Sequence, residues 1–222
     1  MEDWARALFE LPGETYLSVL AKIHEALRLK SYLEIGVQNG ASLALALEGS
    51  YAVGVDPDPK ITAPLKAWTQ LYKMTSHAFF ETYSGPPFDL IFIDGLHRYE
   101  AVVEDFCNAE KLCTANSIIM LHDTIPLSAE TSTPVCQTSF WTGDVWKIVP
   151  AIIRSRPDLT LFTIACPPSG LTIIKGFGSK KGLSASVVRE FQNKGYAWVA
   201  GQKKAALKII ENHSSQWLPE LF

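Results

Sequence analysis

At 222 residues, 47% hydrophobic and 19% charged, the chain is long enough for a full three-layer core and too low in charge to be mainly disordered. No window approaches the about 18 consecutive apolar residues of a membrane helix, and the opening Met1-Glu2-Asp3 is acidic where a secretory leader is basic. With Cys107, Cys113, Cys136 and Cys166 forming neither a CxxC pair nor a disulfide-dense set, a cytoplasmic protein with reduced thiols is expected.

The net charge of −3 is unevenly spread: from Lys175 on there are 8 of the 20 basic residues and 3 of the 23 acids, which leaves +5 there and −8 before it. A basic tail of this size reads as a solvated helix face, so neither a membrane nor a nucleic acid is an expected partner.

In chain order, Glu14–Lys30 places Leu17, Leu20, Ile23 and Leu27 at helical spacing and is expected to cover an edge of the sheet that follows. Ser31–Gly36 reads as a strand, Ala41–Glu48 as the helix after it, and Tyr51–Asp56 as the second strand. A helix over Thr62–Gln70 and a third strand over Leu71–Met74 come next. Phe88–Asp94 is a continuous apolar run of the kind buried on both faces in a parallel sheet. Tyr99–Leu112 reads as a crossover helix and Ser117–Leu121 as a fifth strand.

Asp144 is placed to cap a helix over Val145–Arg154, before strands at Leu159–Ala165 and Leu171–Gly176. The last two are joined only by Cys166–Gly170, too short for a parallel connection, so they must be antiparallel. The result is an α/β fold with a mostly parallel seven-stranded sheet and one antiparallel strand. Ser184–Asn212 reads as helical, broken near Gly195 and Gly201. The chain divides into an N-terminal helical extension (1–30), a ligand-binding domain (31–178) and a C-terminal helical extension (179–222), the last available to pack on the sheet, cap the site or join a homodimer.

Gly36 and Gly40 follow the first strand directly, where glycines let the backbone turn tightly against a ligand. The spacing is GxxxG with Gln38 in the middle, not the GxGxxG of dinucleotide folds. Glu34 is an acid inside an apolar strand and needs a cationic or hydrogen-bonding partner, a need that an ammonium-bearing ligand meets. Asp56 ends the second strand twenty residues after Gly36, where a carboxylate can accept both hydroxyls of a ribose. A nucleoside-containing ligand follows.

The blocks Leu-Glu-Ile-Gly-Val-Gln-Asn-Gly-Ala-Ser, Gly-Val-Asp, Asp-Leu-Ile-Phe-Ile-Asp-Gly-Leu-His-Arg-Tyr-Glu-Ala-Val, Ile-Met-Leu-His-Asp-Thr and Val-Trp-Lys, in this order, resemble the class I methyltransferase family known as methyltransferase domain 24. The resemblance spans about residues 31–176. It implies the Rossmann-like three-layer class I fold and S-adenosylmethionine (SAM) as cofactor. Glu34, Gly36 and Gly40 would border its methionine end, Asp56 its ribose, and Thr75 and Ser76 its adenine. The family more often carries an acid near Thr75.

Asp94 ends the fourth strand and His122-Asp123 ends the fifth, so all three fall on the carboxyl edge of the sheet, with His97 in the same loop as Asp94. This resembles the metal-dependent catechol-type O-methyltransferases, where an acid and an Asp-Asn pair at these places hold magnesium and a lysine three residues past the acid is the base. By that likeness Asp94, His122 and Asp123 would be metal ligands and His97 the base. A histidine in place of a carboxylate suits manganese or another transition ion as well as magnesium. Independently, an ordinary histidine pKa makes His97 a candidate general base beside Asp94.

Arg98 and Tyr99 could orient an acceptor, and Trp141 and Trp146 either wall its pocket or pack in the core. The leading expectation is O-methylation of a small hydroxylated molecule. N-methylation on the same fold, a nucleotide-binding oxidoreductase and a non-catalytic SAM-binding protein are the alternatives.

Overall fold

The computed structural model describes residues 2–179 and 181–222. Its centre is one eight-stranded sheet, formed by β1 (Ser31–Ile35), β2 (Tyr51–Val55), β3 (Trp68–Tyr72), β4 (Phe88–Ile93), β5 (Cys113–His122), β6 (Thr160–Ile164), β7 (Leu171–Lys175) and β8 (Ile209–Ile210). The order across the sheet is β3-β2-β1-β4-β5-β7-β6-β8. The first five strands run parallel, and β7 is antiparallel to both neighbours, as the short Cys166–Gly170 loop requires. The expected seven strands become eight because residues of the C-terminal segment add β8 parallel to β6, with Thr163 N–H donating to Lys208 O and Ala165 N–H to Ile210 O.

Two apolar layers sandwich this sheet. On one face α4 (Tyr99–Lys111), α5 (Ile148–Ser155) and α6 (Ala185–Gln192) bury Phe106, Val149, Ile152 and Phe191 against Leu33, Ile91 and Ile119. On the other, α2 (Tyr16–Leu27) sets Val19, Leu20 and Ile23 on Tyr32, Leu90, Phe92 and Met120. The N-terminal amphipathic helix thus covers a sheet face and not an edge, because β1 and β4 lie in the middle of the sheet. Each fully buried large side chain contributes about 1.5–3 kcal/mol, so both layers hold the strand ends in place. Among the described residues no helix is long and apolar enough to cross a membrane.

Several sequence expectations fail for local reasons. Over 41–48 there is only a 3-10 turn, Leu43–Leu45. The preceding turn uses residues 36–40, the Ser42 hydroxyl is drawn to Glu34, and the N–H groups of Leu45 and Ala46 close three-residue bonds to Ser42 and Leu43. No helix forms over 62–70 either. Pro64 lacks an N–H, and the N–H groups of Lys60, Thr62 and Ala63 donate to Gln38 O and Asn39 O, which ties the segment to the first turn. The third strand therefore starts early, at Trp68.

The region 184–212 is broken at the two expected glycines into α6, α7 (Tyr196–Ala200) and α8 (Lys203–Ala206) before β8. A helix that the sequence reading did not include, α1 (Glu2–Glu10), packs Ala7 on Leu127 and Phe140, and Trp4 edge-on to the Phe140 ring.

One buried ion-pair network pins the far end of the sheet. Arg156 donates to Glu110, to both oxygens of Asp158 at 3.0 and 2.9 Å, and to Ser179 O at 2.7 Å, while Glu110 also accepts the Gly182 N–H at 2.8 Å.

Candidate active site

The ends of β1, β2, β4 and β5 converge at the carboxyl edge of the sheet. Gly36 turns the chain there at φ +87°, and a Cβ on it would sit 2.0 Å from the Asp94 carbonyl oxygen, so only glycine lets the β1 turn approach the β4 end this closely. Gln38 and Gly40 also have positive φ, +47° and +80°. Asp56 closes this turn from β2: its Oδ2 accepts the N–H groups of Val37 at 3.0 Å and Gln38 at 2.9 Å, and Oδ1 that of Asp58 at 2.7 Å. An ionised carboxylate accepts about four hydrogen bonds, so Asp56 keeps capacity toward a ligand while holding the turn.

Glu34 is fully buried. Its partners are two hydroxyls of the chain, Tyr32 at 2.6 Å and Ser42 at 2.7 Å. Burial pushes its carboxyl up to about 8, against the pull of those two donors. The sign follows from linkage. The fold favours the protonated acid, so this group's contribution to stability is present below its ordinary value of 4.5 and is lost as pH rises through about 8. Thermal unfolding between pH 5 and 9 should show the wild type losing Tm relative to Glu34→Gln, and parallel curves would mean that Glu34 is charged in the fold.

Thr75 caps α3 (Ser76–Thr82) by accepting the Ala78 N–H at 3.3 Å. Ser76 faces the buried carboxyl of Asp105 on α4, which burial raises to about 6. Asp105, a residue that no local motif marks, is thus the carboxyl next to Ser76.

Asp94, His97, His122 and Asp123 come together as expected. His97 Nε2 lies 3.1 Å from Asp123 Oδ2 and 3.6 Å from Asp94 Oδ1, and its Nδ1 lies 3.1 Å from Trp141 O. His122 Nδ1 lies 3.1 Å from Asp94 Oδ1 and its Nε2 3.4 Å from the Ser169 hydroxyl, so both ring nitrogens are engaged within the chain. The set whose ligand atoms all lie within 4.8 Å of one another is Asp94, His97 and Asp123; His122, expected as a ligand, stands behind them.

Burial alone would raise Asp94, yet the charge of His122, with hydrogen bonds from both histidines, holds it well below the usual carboxylate range. Burial would lower His97, but the charge of Asp123 and then Asp94 lift it to about 9. In the free protein His97 is therefore protonated at neutral pH, an acid where the sequence suggested a base.

Other expectations are corrected here. Tyr99 is buried and donates to Val188 O at 3.2 Å, so it faces the core and not an acceptor. Trp146 is also a core residue, stacked on Trp198 at 6.0 Å, whereas Trp141 does reach the site, its ring 5.3 Å from His97. Asp144 caps α4 instead of the helix after it: Oδ1 accepts the Tyr99 N–H at 2.7 Å and Oδ2 binds Lys147 at 2.8 Å. The loop 123–144 is braced on the site at Gly143, where a Cβ would strike the His97 carbonyl oxygen at 1.6 Å.

Two residues outside every expected motif complete the edge. Ser169, from the β6–β7 hairpin, donates to Asp123 Oδ1 at 2.5 Å and supports its left-handed backbone (φ +57°). Tyr16 lies over His122.

Both implied groups suit what is present. The Asp56 carboxylate has no lysine or arginine partner among the described residues, Asp94 is balanced by His97 and His122, and the Glu34 carboxyl is uncharged below about 8, so the turn leaves Asp56 to draw a cationic ligand such as a sulfonium bearing an ammonium. Two carboxylates and one imidazole form a donor set for manganese or a similar transition ion.

Residues 33–124 match the family model described as a methyltransferase domain. Searched against curated protein sequences, the chain has no significant match. Among solved structures, the chain is similar to cofactor-bound Rv0187 from MTB (17% identity, TM-score 0.59, covering 80% of this chain and 89% of that one). The O-methyltransferase TomG from Streptomyces achromogenes, solved with SAM, is 15% identical with a TM-score of 0.53 over 79% and 88%. SAH-bound methyltransferase PaMTH1 from Podospora anserina is 19% identical with a TM-score of 0.53 over 79% and 86%. Residues 33–124 thus resemble a methyltransferase domain, and the sheet built around them has the class I methyltransferase fold.

Proposed function

We propose that the protein is a SAM-dependent methyltransferase acting on a hydroxyl of a small molecule. The observation that carries this is the convergence of Asp94, His97 and Asp123 beside the Gly36 turn, with the Asp56 carboxylate one strand further along. The SAM and SAH complexes of TomG and PaMTH1 support the cofactor, and the O-methyltransferase description of TomG supports the acceptor type.

SAM supplies a methyl group on a sulfonium, ready for displacement by an oxygen nucleophile. The protein's part is to align that oxygen and make it electron-rich. Asp56 and the turn hold the nucleoside, and Asp94 and Asp123 face the acceptor. A cation near these carboxylates weakens their hold on the His97 proton, which lets the imidazole take the proton of the acceptor hydroxyl through Nε2. A divalent ion held by Asp94, His97 and Asp123 would lower the hydroxyl's pKa directly. The protonated state of His97 favours a second reading, N-methylation, since a neutral amine needs no base.

Calorimetry should give micromolar binding of SAH. A panel of phenols, sugars and amines, followed by SAH release, should then show turnover with a hydroxyl acceptor. Dialysis against EDTA should reduce that turnover at least tenfold and manganese restore it. Indifference to EDTA would remove the metal from the reaction, and turnover with amines alone would replace the O-methyl reading.

A further inference from the structure

Tyr16 is the first residue of α2 and lies in none of the motif blocks of the sequence. Three contacts bring it into the site. Its ring lies on the His122 imidazole, centroids 4.1 Å apart, and reaches the Phe92 ring at 6.3 Å. Its backbone N–H donates to Pro167 O at 3.2 Å, so the β6–β7 hairpin fixes the start of the helix that carries the ring. The half-buried hydroxyl lies in the field of Asp94, Glu34 and Asp123, and among the described residues it has no hydrogen-bond partner.

Sheet order places what such a hydroxyl would meet. Asp56 at the end of β2 marks the nucleoside, and Asp94 and Asp123 at the ends of β4 and β5 mark the reaction. A sulfur that delivers a methyl group to the second place from the first must lie over the ends of β1 and β4, beside Glu34. The remaining substituent on that sulfur is an amino acid. Its ammonium suits a position between carboxylates, and an amino acid needs both donors and acceptors, which a phenol hydroxyl provides together.

On the SAM reading above, we infer that the Tyr16 hydroxyl binds the amino-acid end of the cofactor, which makes Tyr16 a cofactor-binding residue supplied by the N-terminal helix. The Tyr16→Phe change keeps the ring on His122 and removes only the hydroxyl, so its Tm should stay close to that of the wild type.

Calorimetry with two probes isolates the contact. SAH carries the amino acid, whereas 5′-methylthioadenosine keeps the nucleoside and sulfur without it. Tyr16→Phe should weaken SAH binding about tenfold and leave 5′-methylthioadenosine within about twofold of wild type. Unchanged SAH affinity, or equal weakening of both probes, overturns the assignment. A wild-type protein that binds neither probe overturns the cofactor reading itself, an outcome that the variant cannot mimic.

Discussion

Replacing Asp56 with alanine should weaken SAH binding by about two orders of magnitude. Two losses add. The ribose loses its carboxylate acceptor, and the turn loses the group that gathers the N–H groups of Val37 and Gln38. Gln38 sits at φ +47°, a left-handed conformation that a side-chain-bearing residue keeps only when its surroundings hold it. Hydrogen bonds to charged groups contribute about 1.5–3 kcal/mol each, so losing about 3 kcal/mol corresponds to about 100-fold in affinity. Asp56→Asn, which keeps one acceptor oxygen, should fall between the two. Calorimetry decides, and an alanine variant with wild-type affinity would end the ribose assignment.

Arg156→Ala should cost about 3–5 kcal/mol of stability, the effect of leaving a buried carboxylate without its partner. Arg156 and Glu110 are 1% exposed each, and no other cation reaches Glu110 among the described residues. For a chain of this size that is a Tm loss of about 10 °C. The network lies at the opposite end of the sheet from the Gly36 turn, so SAH affinity of the folded variant should stay near wild type. Chemical denaturation supplies the free energy, and a loss below about 1 kcal/mol would show that the pair is replaceable by water.

The sequence made legible what is set by short-range pattern. The strands at 31–35, 51–55 and 88–93 follow from continuous apolar runs, and the antiparallel β7 follows from a five-residue connection. The convergence of Asp94, His97, His122 and Asp123 follows from strands that end at one edge. Less legible was anything decided across the chain. The segments 41–48 and 62–70 read as helices, yet the Ser42–Glu34 bond and three-residue bonds take the first, and hydrogen bonds from residues 60–63 to 38–39 take the second. Asp144 looked like the cap of its own helix and instead caps one 45 residues earlier. Which histidine faces inward depends on Ser169 and Trp141, from two distant loops, and the Tyr16 contact depends on how α2 lies on the sheet.

The 3-10 turn that stands where a crossover helix was expected also bears on the kind of ligand the edge can hold. A full helix there would aim a row of aligned peptide N–H groups, with its partial positive charge, at whatever occupies the turn, the arrangement that suits a pyrophosphate. Three residues of 3-10 turn, Leu43–Leu45, generate little of that field. What remains beside Gly36 is the Asp56 carboxylate, with Asp94 paired to His97 and His122, so a phosphate over Gly36 would meet a negative charge and few aligned N–H donors. Phosphorylated nucleotides such as ADP or NAD should therefore compete poorly with a nucleoside whose only charged centres are an amino acid and a sulfonium.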